Sequence, residues 1–323
     1  MIGLRYYYII LVSLFALGGC GIMPVNKGKL EGRAWCDTRY LDTVKEYQDY
    51  ELIGDNVRKK LRLSKEGYIY AVAAVLPLQQ NGKESEFYFS PPDRLQEIKE
   101  LKRKDVSGFE AMTFVLNDDE GKPTKTIISF AGSNQWRDYL LHNFWITPIQ
   151  FDNARAYVDE VLNYPVAGNL PLIATGVSLG GGLAVHVKKD NKTSKYIQEA
   201  WAFNPSNRIQ ADSAENPNIY LLANDYEILK KLNRENIGAY PENTSDDFDL
   251  IRSSSIYAHY RWVVTRQILH YADLAIYFET ERSSDTTEPM RILQSQQISR
   301  EVCTKDIRDS INNDRRIRQK NEF

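Results

Sequence analysis

The sequence predicts an α/β protein with a mostly parallel central sheet and helices on both faces. Three observations carry that expectation. Leu172–Val187, LIATGVSLGGGLAVHV, runs from a buried-looking strand through a glycine-flanked turn into a helix. An amphipathic pattern over Phe151–Tyr164 precedes that strand and completes a β–α–β unit. Two further short apolar runs, Glu199–Phe203 and Asn218–Ala223, follow it and each ends at an asparagine.

In chain order, Met1–Gly19 carries Arg5, an apolar run from Tyr6 to Leu17, and Gly18-Gly19 before Cys20. That pattern reads as a signal peptide, too short for a comfortable membrane span. Residues 20–36 read as a tether, and the globular domain is expected over 37–280. Asp37–Leu63 has helical spacing in Leu41, Val44, Tyr47, Tyr50 and Leu52, and Gly67–Leu78 reads as a buried helix ending near Pro77. Asn81–Arg103 is polar, contains Pro91-Pro92, and reads as a surface excursion.

Gly108–Leu116 and Thr124–Phe130 read as strands joined by the turn Asn117–Gly121, an antiparallel hairpin leading into the parallel sheet. In Phe151–Tyr164, the residues Ala154, Tyr157, Val158, Val161 and Leu162 share one helical face. Beyond the central turn, Tyr226–Leu232 reads as helix, Glu235–Leu250 as a polar loop, and Ser253–Ile276 as one long helix. Residues 281–323 read as a charged helical tail.

At 323 residues the chain is long enough to bury a sizeable core. A net charge of −2 provides no long-range field for nucleic acid. Three cysteines are present. With Cys20 set aside, Cys36 and Cys303 remain, and in an exported chain they are expected to form a disulfide. A loop that long contributes on the order of 5 kcal/mol if unstrained.

The turn Gly176-Val177-Ser178-Leu179-Gly180 has the Gly-x-Ser-x-Gly pattern of a nucleophile elbow, which lifts the serine hydroxyl above the sheet edge. A serine hydroxyl needs a base to take its proton and an acid to orient that base. In chains of this kind the acid and then the histidine follow the serine. Of the four histidines, His142 precedes the elbow and His186 lies about 12 Å along the elbow helix, which leaves His259 and His270. On one helix those two would stand about 16 Å apart, so only one can serve. His259, at the start of the helical run after a polar loop, suits the role better. Asp225, at the end of an apolar strand, is the candidate acid, with Glu227, Asp246, Asp247 and Asp249 as rivals. The candidate oxyanion donors are the N–H of Leu179 at the helix start and the N–H of Ser133 after the strand closing at Phe130.

These motifs carry a resemblance. Phe130-Ala131-Gly132-Ser133, Arg137-Asp138-Tyr139 and Thr175-Gly176-Val177-Ser178-Leu179-Gly180-Gly181 resemble the class 3 (fungal-type) lipases of the α/β-hydrolase superfamily. Ala131 and Val177 stand where that family usually has arginine and histidine. The resemblance spans roughly 66–276. It implies an α/β-hydrolase fold, Ser178 as nucleophile, Asp225 as acid, a histidine near His259, Ser133 and Leu179 as oxyanion donors, and ester hydrolysis on lipids without metal or cofactor. Trp136, Tyr139 and Phe144, in an apolar stretch after the oxyanion residue, are candidates to line or cover an acyl pocket.

Leu17-Gly18-Gly19-Cys20 resembles the bacterial lipobox, which implies lipidation of Cys20. Gly21 rather than aspartate then favours the outer membrane, facing the periplasm. The expected protein is therefore a membrane-anchored serine ester hydrolase, a lipase or phospholipase A-type enzyme that forms an acyl-enzyme. An acyltransferase or thioesterase using the same groups, and a non-catalytic binding lipoprotein of the same fold, are the alternatives. The expected partners are a lipid or small ester and a membrane, with no nucleic acid. No protein partner is indicated.

Overall fold

The computed structural model describes residues 54–81, 85–132, 136–225, 227–231, 233–248, 255–280 and 286–297. They belong to one compact unit, Thr38–Glu301. The signal peptide, the tether, Cys20, Cys36 and Cys303 lie outside the described residues.

The described strands are β1 (Leu95–Glu97), β2 (Arg103–Lys104), β3 (Glu110–Asn117), β4 (Pro123–Phe130), β5 (Leu172–Val177), β6 (Ile197–Phe203), β7 (Ile219–Asn224) and β8 (Thr244–Phe248). They make one sheet in the order β1-β3-β4-β5-β6-β7-β8, with β2 also paired to β3. β3 pairs antiparallel with β1, β2 and β4. From β4 to β8 every pairing is parallel. The sequence-predicted hairpin and parallel sheet are both present.

The described helices are α1 (Asp55–Val75), α2 (Trp136–Leu162), α3 (Leu179–Lys189), α4 (Ser255–Ala258), α5 (Arg261–Glu279) and α6 (Glu288–Ser295). They flank the sheet on both sides, and the strands show why. Ile128, Phe130 and Ala174 point to one face, where they pack with Ala154, Tyr157 and Val158 of α2 and Leu183 of α3. Their neighbours Ser129 and Thr175 point to the other face. There the Ser129 hydroxyl donates to the Ala73 carbonyl of α1 at 2.7 Å, and the Thr175 hydroxyl to that of Tyr70 at 3.1 Å. Two hydroxyls in the buried parts of these strands thus remain satisfied where no water reaches them.

Asn81–Arg103, expected as a surface excursion, instead carries β1 and buries Phe87, Phe89, Leu95 and Ile98. Three further segments depart from expectation. The stretch expected to be a loop over Glu235–Leu250 contains β8, whose sequence Thr-Ser-Asp-Asp-Phe lacks apolar alternation. Polar residues suit it because, among the described strands, it ends the sheet order and pairs with β7 alone. Second, the single helix expected over Ser253–Ile276 is two helices, α4 and α5, broken at His259-Tyr260. Third, the body of the domain runs past residue 280. Met290, Ile292 and Leu293 of α6 are buried. Glu288 accepts from Arg94 at 2.8 Å and from the Tyr68 hydroxyl at 2.7 Å. Gln296 donates to the Phe87 carbonyl at 2.5 Å.

Candidate active site

Ser178 sits between β5 and α3 with φ 57° and ψ −120°. For a residue with a Cβ this backbone costs of order 1–3 kcal/mol, so the surroundings must over-determine it. The Ser178 N–H donates to the Phe203 carbonyl at 3.0 Å, and its own carbonyl accepts from Ser206 at 2.9 Å and Gly182 at 3.2 Å. The flanking glycines are steric requirements. A Cβ on Gly176 would strike the backbone of Gly180, and one on Gly180 would strike the Phe130 carbonyl. A Cβ on Gly132 would strike the Val177 carbonyl beside Ser178, so the chain leaving β4 passes directly against the elbow. Ser133, the next residue, lies outside the described residues.

His259 occupies the break between α4 and α5. Its Nε2 stands 3.0 Å from Ser178 Oγ, and its Nδ1 stands 2.7 Å from Glu227 Oε2. The Glu227 side chain is fully buried and that of His259 is 15% exposed, so one end of the series is sealed while the ring stays near the surface. An ionised carboxylate only accepts hydrogen bonds. The Nδ1 of His259 therefore carries the proton donated to Glu227, and Nε2 is left to accept from the Ser178 hydroxyl.

Burial acts to raise the Glu227 carboxyl, but the hydrogen bond from His259, the charge of Arg234 and the Leu229 N–H outweigh it. The net result is a carboxyl held below its ordinary range. Arg234 forms an ion pair with Glu227 Oε1 and donates through Nε to the Pro205 carbonyl at 3.0 Å. The Leu229 N–H reaches Glu227 Oε2 at 2.9 Å.

The structure corrects the candidate acid. Asp225 does not reach His259. Its N–H is fixed to the Phe248 carbonyl of β8 at 2.8 Å, and its carboxylate receives Lys230 Nζ at 2.6 Å. Glu227, two residues further on, has the reach and the burial that Asp225 lacks. Leu179 is the first residue of α3, so its N–H is among those a helix leaves without an intrahelical acceptor. Trp136, Tyr139 and Phe144 lie on α2, but their side chains are outside the described residues.

Neither rival histidine stands in the series. His186 is buried, with Nδ1 2.9 Å from the Ile209 carbonyl and Nε2 3.0 Å from Arg155. His270 is buried in α5, three helical turns past His259.

No protein-family model matches the chain, and no curated protein matches it. Among solved structures it is similar to the extracellular lipase LipA from Serratia marcescens, at 17% identity and a TM-score of 0.27. That match covers 58% of this chain and 42% of the lipase. The chain thus spans less than half the length of that protein, and the functional reading rests on the site's own geometry.

Proposed function

We propose that the protein is a serine ester hydrolase of α/β-hydrolase type, with Ser178 as nucleophile, His259 as base and Glu227 as orienting acid. One observation carries the reading: a single imidazole bridges the strained serine hydroxyl and a buried, ion-paired carboxylate.

In the proposed reaction Ser178 Oγ attacks the ester carbonyl while His259 Nε2 takes its proton. The negative charge that develops on the carbonyl oxygen is met by the N–H groups of Leu179 and Ser133. Each such donor is worth on the order of a hundredfold to a thousandfold in rate. Collapse expels the alcohol, which takes the proton from His259, and leaves an acyl-enzyme on Ser178. Water then attacks with the same base and releases the acid. Glu227 keeps Nδ1–H in place and stabilises the imidazolium between these steps.

A lipid substrate is the part of the proposal supported by the class 3 lipase resemblance of the motifs around Ser133 and Ser178. Lipidation of Cys20, attachment to the outer membrane and the Cys36–Cys303 disulfide are proposed on sequence grounds. An anchor on Cys20 would raise the effective concentration of bilayer substrate at the site.

A fluorophosphonate probe and a series of p-nitrophenyl esters of rising chain length test the reading together. Labelling and hydrolysis that both vanish in Ser178→Ala are the expected result. Labelling that persists in Ser178→Ala, or wild-type protein inert to both reagents, would overturn it.

A further inference from the structure

We propose that Asn204 and Asn224 are positioning residues that set His259 on line with Ser178 by clamping the peptide carbonyl just before it. The proposal rests on the reading of Ser178 and His259 as nucleophile and base.

Both side-chain amides donate to the Ala258 carbonyl, Asn204 Nδ2 at 3.0 Å and Asn224 Nδ2 at 2.6 Å. That carbonyl ends α4, in the break that carries His259. It is one peptide removed from the imidazole, so its position governs where the ring stands. Helix ends fray unless their last carbonyls find donors. The four residues of α4 are too few to hold themselves. Two buried amides converging on one carbonyl supply what that short helix lacks.

The clamp is itself locked. Asn204 Oδ1 accepts from the Asn224 N–H at 2.8 Å, and Asn224 Oδ1 accepts from Gln267 Nε2 of α5. Asn204, Asn224 and Gln267 are each fully buried. Asn204 also holds a left-handed backbone, φ 41°, at the end of β6. An asparagine tolerates that region better than most residues, and the strain is retained where the side chain is committed.

The same stretch of chain reaches every member of the proposed series, Glu227 by way of Arg234. Phe203 and Ser206 fix the Ser178 backbone on its two sides, Pro205 accepts from the Arg234 paired with Glu227, and Asn204 holds the His259 segment. Four consecutive residues therefore set the relative positions of serine, histidine and glutamate. A misplacement of about 1 Å between reacting groups costs on the order of a hundredfold in rate, so such a bracket has direct catalytic weight.

The test compares wild type, Asn204→Gly, Asn224→Ser and Ser178→Ala in p-nitrophenyl ester hydrolysis and fluorophosphonate labelling, with melting temperature beside each. Glycine keeps the left-handed backbone of Asn204 while removing its amide. In the folded variants kcat and the labelling rate are expected to fall together by roughly tenfold to a hundredfold, with KM changed less than about threefold. A merely structural role would lower the melting temperature and leave both rates of the folded protein near wild type, which would overturn the proposal. If neither variant folds, Gln267→Met, which withdraws the outermost support, decides: a loss of kcat at unchanged KM supports the clamp, and an unchanged kcat refutes it. Failure of the underlying hydrolase reading shows separately, as wild-type protein that neither hydrolyses nor labels.

Discussion

Ser178 Oγ and His259 Nε2 meet at 3.0 Å across 81 residues of chain, and the serine does so from a backbone of φ 57°. The hydroxyl is presented to the imidazole because the polypeptide is bent there against its own preference. Strain at the serine and contact with the histidine are one arrangement.

That strain is removable. Ser178→Gly keeps the bend at little steric cost, because glycine enters this backbone region freely. The variant is expected to lose all probe labelling and to gain about 1 kcal/mol of stability, read as a higher urea midpoint at unchanged slope. A midpoint equal to or below that of Ser178→Ala would show that the elbow stores no recoverable strain.

The two neighbouring acids should separate cleanly. Glu227→Gln offers His259 the wrong hydrogen-bonding group and is expected to lower kcat by on the order of ten-thousandfold, as removal of the orienting charge does in comparable sites. Asp225→Asn, whose carboxylate faces Lys230, should stay close to wild type in kcat. Steady-state ester hydrolysis decides, and the reverse ranking would reinstate Asp225.

Acid should weaken the fold through Glu227. Its folded value lies below the ordinary 4.5, so its contribution is complete above that pH and is lost as pH falls through the lower, folded value. Denaturant melts from about pH 6 down to about pH 3 should show wild-type stability declining below about pH 4.5, and Glu227→Gln declining less steeply. Asp247 and Glu288 are also held low by their partners and leave a residual slope in both proteins. Parallel curves would count against the Glu227 contribution.

Gly180→Ala brings a methyl group onto the Phe130 carbonyl, where neither backbone has room to yield. A loss of about 3 kcal/mol or more is expected in chemical denaturation. A near-neutral effect would mean that β4 and the elbow can slide apart.

The elbow was legible in the sequence because each of its residues answers a local steric demand: glycine where backbones touch, serine at the bend, small residues behind. The meeting of His259 with Ser178 was legible by chain order, since few imidazoles follow the serine. Its contact with Glu227, only a rival of Asp225 in the sequence, was not. Choosing between Asp225 and Glu227 required knowing that Phe248 captures the Asp225 N–H, and the strand bearing Phe248 is too polar to announce itself. In the sequence the asparagines 204 and 224 only end two apolar runs, and the packed sheet alone shows both amides converging on Ala258. The boundary at residue 280 misled for a related reason. Glu279–Glu288 is so polar that it reads as an end, while the buried side of α6 is no more than Pro289, Met290, Ile292 and Leu293.

The seating of α6 has a practical consequence for anyone shortening this gene. A polypeptide stopped at residue 280 would still encode serine, glutamate and histidine, yet it would uncover the apolar ground beneath Met290 and Leu293. It would also deprive Arg94 of its carboxylate. Such a product would be prone to stick to itself, and any failure of its chemistry would say nothing about Ser178, Glu227 or His259. A trimmed version meant to keep this domain whole should therefore extend beyond Gln296.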